Sequence, residues 1–162
     1  MLIRPATLAD FDDLQAIFAR ARQFMADTGN PNQWRTTYPA PELIRKDIAA
    51  GATRVCEVDG RIQCVFSVFP EGDPCYNEIF DGGWLDDQPY CAIHRVATRG
   101  EIPGIAARCL EWCVEEYGNI RIDTHADNAP MQHVLEKLGF ARCGRVYFTP
   151  TEPRIAYHRR KI

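Results

Sequence analysis

The stretch Cys91-Ala-Ile-His-Arg-Val-Ala-Thr98, then Arg99-Gly-Glu-Ile-Pro103, then Gly104-Ile-Ala-Ala-Arg-Cys-Leu-Glu-Trp112 decides the fold. Its first part is rich in apolar and β-branched residues, which predicts a central strand over Tyr90 to Thr98. Arg99 to Pro103 reads as a turn. Beyond it, Ile105, Cys109, Trp112 and Cys113 fall at helical spacing, which predicts a helix from Gly104 to Tyr117 stopped by Gly118. Backbone N–H groups at such a helix start suit phosphate oxygens. No G-K-[ST] follows, however, and the pattern is not G-x-G-x-x-G. By pattern alone the turn is either a structural β-α connection or a phosphate site.

Downstream, Ile120 to Thr124 reads as a strand, Pro130 to Leu138 as a helix stopped by Gly139, and Ala141 to Phe148 and Arg154 to His158 as two final strands. Upstream, Leu2 to Arg4 is a short strand. Thr7 and Asp10 make a capping box ahead of Phe11, Leu14, Phe18, Ala21 and Met25, which line one helix face. Pro41 starts a second helix with Ile44 and Ile48 inward and Gly51 as its end. Thr53 to Val58 and Arg61 to Phe69 form a hairpin around Asp59-Gly60. Residues 70–89 make a long acidic loop that also carries Tyr76, Phe80 and Trp84. The order β-α-α-β-β-β-α-β-α-β-β predicts an α/β (α+β) fold around one mixed sheet, in a single domain over 1–162.

Composition narrows the function. With 162 residues, 46% apolar and 25% charged, the chain is an ordinary globular one. A net charge of −3 argues against a nucleic-acid binder. Neither a membrane span nor a signal peptide is expected. The cysteines number seven without a CxxC pair, so buried reduced thiols in a cytoplasmic protein are expected, and no metal.

Strand, turn and helix together resemble the acyl-CoA-binding core of the GNAT superfamily of N-acetyltransferases. The family's turn is [QR]-x-x-G-x-[GA]; here Glu101-Ile-Pro-Gly104-Ile-Ala106 matches at Gly104 and Ala106 and departs at Glu101. Ile122-Asp-Thr-His-Ala-Asp-Asn128 and Val134-Leu-Glu-Lys-Leu-Gly-Phe140 resemble the family's next strand and its L-Y-E-K-L-G-F helix end. Ile3-Arg4-Pro5-Ala6-Thr7 with Asp10 is similar to its opening. The resemblance implies a mostly antiparallel sheet of six to seven strands flanked by about four helices, with acetyl-CoA as acyl donor. It further implies that Val96, Ala97 and Thr98 pair with the pantetheine arm. Arg99, Gly100, Glu101, Ile102, Gly104, Ile105 and Ala106 would receive the pyrophosphate, Asn128 would bond the pantetheine, and Met131 would pack beside it. Glu101 brings a negative charge to this turn, which Arg99 is expected to offset, and Pro103 lacks an N–H.

The implied reaction is direct attack of an amine on the thioester, which needs a base for the ammonium proton and a donor for the oxyanion. His94 on the central strand is the first candidate base, His125 the second, and Glu78 in the acidic loop the third. Asp123 reads as a structural partner of an Arg or His. The family's acid, the Tyr of L-Y-E-K, is replaced by Leu135, leaving Tyr147 or water. The Val96 N–H is the implied oxyanion donor.

Gln33, Trp34, Tyr38, Tyr76, Trp84 and Tyr90 are the candidate acceptor residues. Aromatic rings beside loop carboxylates suit a cation, hence a small primary amine. Arg154, Arg159, Arg160 and Lys161 read as a solvated basic tail. The expectation is a small-molecule N-acetyltransferase, monomer or homodimer, with no nucleic-acid or membrane partner. The alternatives are a catalytically idle acyl-CoA-binding protein and a protein-binding adaptor.

Overall fold

In the computed structural model, residues 1–162 are described. The strands are β1 (Leu2–Pro5), β2 (Thr53–Val58), β3 (Arg61–Phe69), β4 (Cys91–Thr98), β5 (Asn119–Thr124), β6 (Ala141–Thr149) and β7 (Glu152–Arg160). The helices are α1 (Phe11–Asp27), α2 (Pro41–Ala49), α3 (Ile105–Tyr117) and α4 (Ala129–Lys137). Leu8–Asp10 and Pro74–Tyr76 add single 3-10 turns. All the predicted elements are present, in the predicted order. The seven strands form one mixed sheet in the order β1-β2-β3-β4-β5-β7-β6. No helix is long and apolar enough to cross a membrane.

The chain divides into two compact units, one made of Met1–Val68 with His94–Cys109 and the other of Phe69–Ile93 with Leu110–Ile162. In the first unit, the N–H of Thr7 donates to Asp10 Oδ2 at 2.8 Å, and Arg4 forks the same carboxylate at 2.8 and 2.9 Å. This fixes the entry to α1. Phe11, Leu14, Ile17, Phe18 and Ala21 then bury one stripe of that helix against Trp34, Ile44, Val55, Val65 and Ala97. The β2–β3 hairpin turns at Asp59 and Gly60, both with positive φ (52° and 77°), which is the type I′ geometry that matches strand twist.

Strand β4 holds the feature least expected from sequence. Arg95, in mid-strand, has φ +56°. A non-glycine residue pays about 1–3 kcal/mol for such a conformation, so surrounding contacts must impose it. They do. Arg95 Nε and Nη2 both reach Asp47 Oδ2 at 2.7 Å, Nη1 donates to the Tyr38 hydroxyl at 3.0 Å, and Ser67 donates to the same Asp47 oxygen at 3.1 Å. Parallel pairing of β4 with β5 is limited to Cys91–Ile93 opposite Ile120–Ile122, and the kink follows it.

In the second unit, β7 lies between β5 and β6 and is antiparallel to both. The 70–89 segment is pinned to this sheet. Phe80 and Arg145 exchange two backbone hydrogen bonds (2.9 and 2.8 Å), and Tyr76 is buried with Ala92, Val146 and Ala156. The basic tail is a correction. Those residues belong to β7 and its edge, Arg154 is buried, Arg159 forks Glu111 (2.6 and 3.0 Å), and Lys161 meets Glu115 at 2.7 Å. The strand needs neutral surroundings for its cations, and α3 supplies the carboxylates. The seven cysteines form no disulfide; six are buried and Cys75 is exposed.

Candidate functional site

The turn between β4 and α3 is built within the first unit. The Arg99 N–H donates to the Gln63 carbonyl at 2.9 Å, and its guanidinium to the Ile62 carbonyl (2.7 Å) and Asp13 (3.1 Å). Gly100 and Gly104 have φ of 81° and 76°, a region that glycine enters without cost. The first intrahelical bond of α3 runs from the Arg108 N–H to the Gly104 carbonyl at 3.1 Å. The N–H groups of Gly104, Ile105, Ala106 and Ala107 therefore precede the helical ladder and lack a partner within it.

Arg99, spent on Asp13 and a main-chain oxygen, is not what offsets Glu101. Arg61 is. Its Nη2 and Nε meet the two Glu101 oxygens at 2.7 and 3.0 Å, and Gln63 adds a third bond at 3.0 Å. The fork holds the Glu101 carboxyl below its usual pKa. So Glu101 is ionised, and its charge is matched by a neighbour that sequence reading missed, since the two lie on different elements.

Upstream of the turn, Val96 and Thr98 are half-buried and Ala97 enters the core. His94 is half-buried on β4, one residue before the Arg95 kink. Ile102 is half-buried in the turn. Trp34 is in the core against Phe18 and Tyr38, with ring centroids 5.8 and 6.0 Å away. Gln33 accepts a hydrogen bond from Asn30 at 2.8 Å.

In the second unit, Asn128 is the N-cap of α4. Its Oδ1 accepts the Met131 N–H at 3.1 Å, and Met131 is half-buried. His125 Nδ1 accepts the Asp127 N–H at 2.9 Å, so the neutral ring carries its proton on Nε2. Burial, and then the charge of Arg154, lowers its pKa. Glu78 is exposed, and Leu135 is fully buried.

The loop aromatics give a second correction. Tyr76, 1% exposed, donates its hydroxyl to Asp123 Oδ2 at 2.6 Å, so Asp123 partners a tyrosine where an Arg or His was expected. Burial and that carboxylate push the phenol's pKa well up. Trp84 donates to the Tyr76 carbonyl at 3.0 Å. The cation in this cluster is the protein's own. The Arg121 guanidinium lies 4.4 Å from the Trp84 ring centre and 4.0 Å from that of Tyr90. The place that sequence reading kept for the acceptor's ammonium is taken.

Among solved structures, a GNAT-family acetyltransferase from Streptococcus agalactiae is 32% identical, with a TM-score of 0.90 over 99% of this chain and 95% of that one. The chain belongs to the GNAT family of acetyltransferases. Two further structures share the fold at lower identity. One is a GNAT-family acetyltransferase from Listeria monocytogenes, 14% identical, TM-score 0.72, covering 99% of this chain and 94% of that chain. The other is a ribosomal-protein-alanine N-acetyltransferase from Brucella melitensis, 20% identical, TM-score 0.66, covering 99% and 100%. No family model and no curated protein sequence matches the chain. GNAT acetyltransferases use acetyl-CoA as cosubstrate, and no group of three or more metal-ligating side chains exists in this acetyltransferase.

Proposed function

We propose that the protein is a single-domain N-acetyltransferase that moves an acetyl group from acetyl-CoA to the primary amine of a small molecule. The observation that supports this most is the β4–α3 turn. Two left-handed glycines, unladdered N–H groups at the α3 start and a Glu101 charge already matched by Arg61 fit the pyrophosphate of the cosubstrate.

Bound there, acetyl-CoA supplies a thioester carbonyl carbon. His94 is the base of this reading: it takes a proton from the acceptor ammonium. The freed nitrogen lone pair then forms the C–N bond, and the C–S bond breaks with its electron pair leaving on sulfur. The Val96 N–H steadies the oxyanion that forms between these events. With Leu135 buried at the position of the family's tyrosine, the thiolate takes its proton from water. His125 is less suited to act as base, because the ring nitrogen able to accept a proton, Nδ1, already accepts the Asp127 N–H.

The test is a melting-temperature titration with acetyl-CoA against free adenosine, followed by free-thiol release with an amine panel. A saturable rise with acetyl-CoA alone is expected. His94→Ala should lose turnover and keep that rise. No rise at millimolar acetyl-CoA overturns the cosubstrate site, and unchanged turnover in His94→Ala overturns the base.

A further inference from the structure

The second unit contains a cavity of about 350 Å³ between the ends of β6 and β7, lined by Arg142, Arg145, Arg154, Asp81, Gly144 and Ala126 among others. That volume is of the size that takes small ligands. Its chemistry is unlike the rest of the molecule. Three guanidiniums face one carboxylate, in a chain whose net charge is −3.

The pairing of β6 with β7 explains how the arginines gather. A register shift between Arg142 and Gly144 re-aims the side chains of β6. Arg145 stands opposite Ile155 and Val146 opposite Arg154, which makes Arg145 and Arg154 diagonal neighbours on adjacent strands. Like charges so placed repel unless an anion lies between them. Arg145 pairs with Asp81 through Nη1, but its Nε–H is buried without any hydrogen-bond partner. An orphaned donor of this kind costs about 1–3 kcal/mol, which a ligand oxygen recovers. Arg154, 6% exposed, donates to the Pro153 carbonyl at 3.1 Å and stacks on Phe148 at 5.5 Å. The field of this cluster reaches the neighbouring His125, where the Arg154 charge opposes protonation.

We infer that the acceptor carries a carboxylate beside its amine, and that the Arg142–Arg145–Arg154 cavity holds that carboxylate. The acceptor class is then amino acids or compounds built like them. The inference rests on the acetyltransfer reading for the word acceptor, and on the cavity alone for the anion. It also fits the occupancy of the aromatic cluster by Arg121, which leaves the acidic loop without its expected cation site.

Two measurements test it. The first compares amino acids with their C-terminal amides as acceptors for wild type and Arg145→Gln, which changes a partly exposed residue. Wild type should favour the acids by at least about tenfold in kcat/KM, as a charge-assisted bond implies. Arg145→Gln should bring that ratio close to one with KM for acetyl-CoA unchanged. The second measures binding of the dicarboxylate glutarate by backbone chemical shifts at Gly144 and Ile155, without cosubstrate. Saturable shifts in wild type, lost in Arg145→Gln, support the cavity. Equal use of amides and acids by wild type, an unchanged ratio in Arg145→Gln, or no glutarate shift overturns the inference. Failure of acetyl-CoA binding with glutarate shifts intact would instead overturn the transfer reading and leave the anion site standing.

Discussion

His158 makes stability depend on pH in a defined window. It is fully buried on β7, with Nδ1 accepting the Leu85 N–H at 3.0 Å and Nε2 facing Asn119 Oδ1 at 2.6 Å. The neutral ring satisfies both contacts only with its proton on Nε2. A second proton must sit on Nδ1, where it meets the Leu85 N–H head-on. Burial first, and the Arg121 charge second, lower the His158 pKa from 6.5 to about 4. At about 1.36 kcal/mol per tenfold, that gap is worth roughly 3 kcal/mol. The folded pKa is depressed, so the unfolded chain binds the proton more readily. Stability is unaffected by this group above pH 6.5, falls as pH drops through the window from 6.5 to about 4, and falls no further below it. For a chain of this length the loss corresponds to roughly 6–12 °C in Tm. Urea unfolding of wild type and His158→Gln, compared from pH 7.5 to 4, isolates the contribution, since all other titrations are shared. The wild-type curve should fall away from the variant's by roughly 3 kcal/mol across the window. Parallel curves would refute the reasoning.

Three further outcomes are expected. Arg61→Ala exposes the Glu101 charge beside the proposed pyrophosphate turn, so KM for acetyl-CoA should rise severalfold in steady-state assays, and Arg61→Ala with Glu101→Ala should restore it. Asp47→Ala leaves the Arg95 guanidinium buried without its carboxylate, which should cost about 3–5 kcal/mol in denaturant unfolding. Tyr76→Phe removes the 2.6 Å bond to Asp123 and should cost about 1–3 kcal/mol, read from the urea midpoint at constant m-value.

What the sequence made legible was local. Asp59-Gly60 names its own turn because both residues enter the left-handed region readily, and the α1 stripe is visible because its members recur at helical spacing. The β4–α3 turn was found through Gly104 and Ala106. The features that escaped all depend on residues far apart in the chain. No local pattern predicts a left-handed Arg95, because Asp47 and Tyr38 impose it from other elements. Arg61 and Glu101 are separated by forty positions, and Arg121 reaches rings on a loop thirty or more residues before it. Charge and aromatic content alone could say that a cation belonged in that loop, but not whose cation it was. The basic tail was misread for the same reason, since a run of arginines looks solvated until the helix carrying Glu111 and Glu115 is placed beside it.

The position of β7 has a consequence for how the second unit assembles during synthesis. β6 leaves the ribosome before β7, yet the order β5-β7-β6 gives it no neighbour on the sheet until β7 arrives. Until then its backbone is an unpaired edge carrying Val146, Tyr147 and Phe148, open to pairing with another chain. Its arginines, Arg142 and Arg145, act in that interval as charged gatekeepers against aggregation. A ribosome pausing between the two strands would prolong the exposure, and a nascent chain arrested there should be the form that chaperones bind.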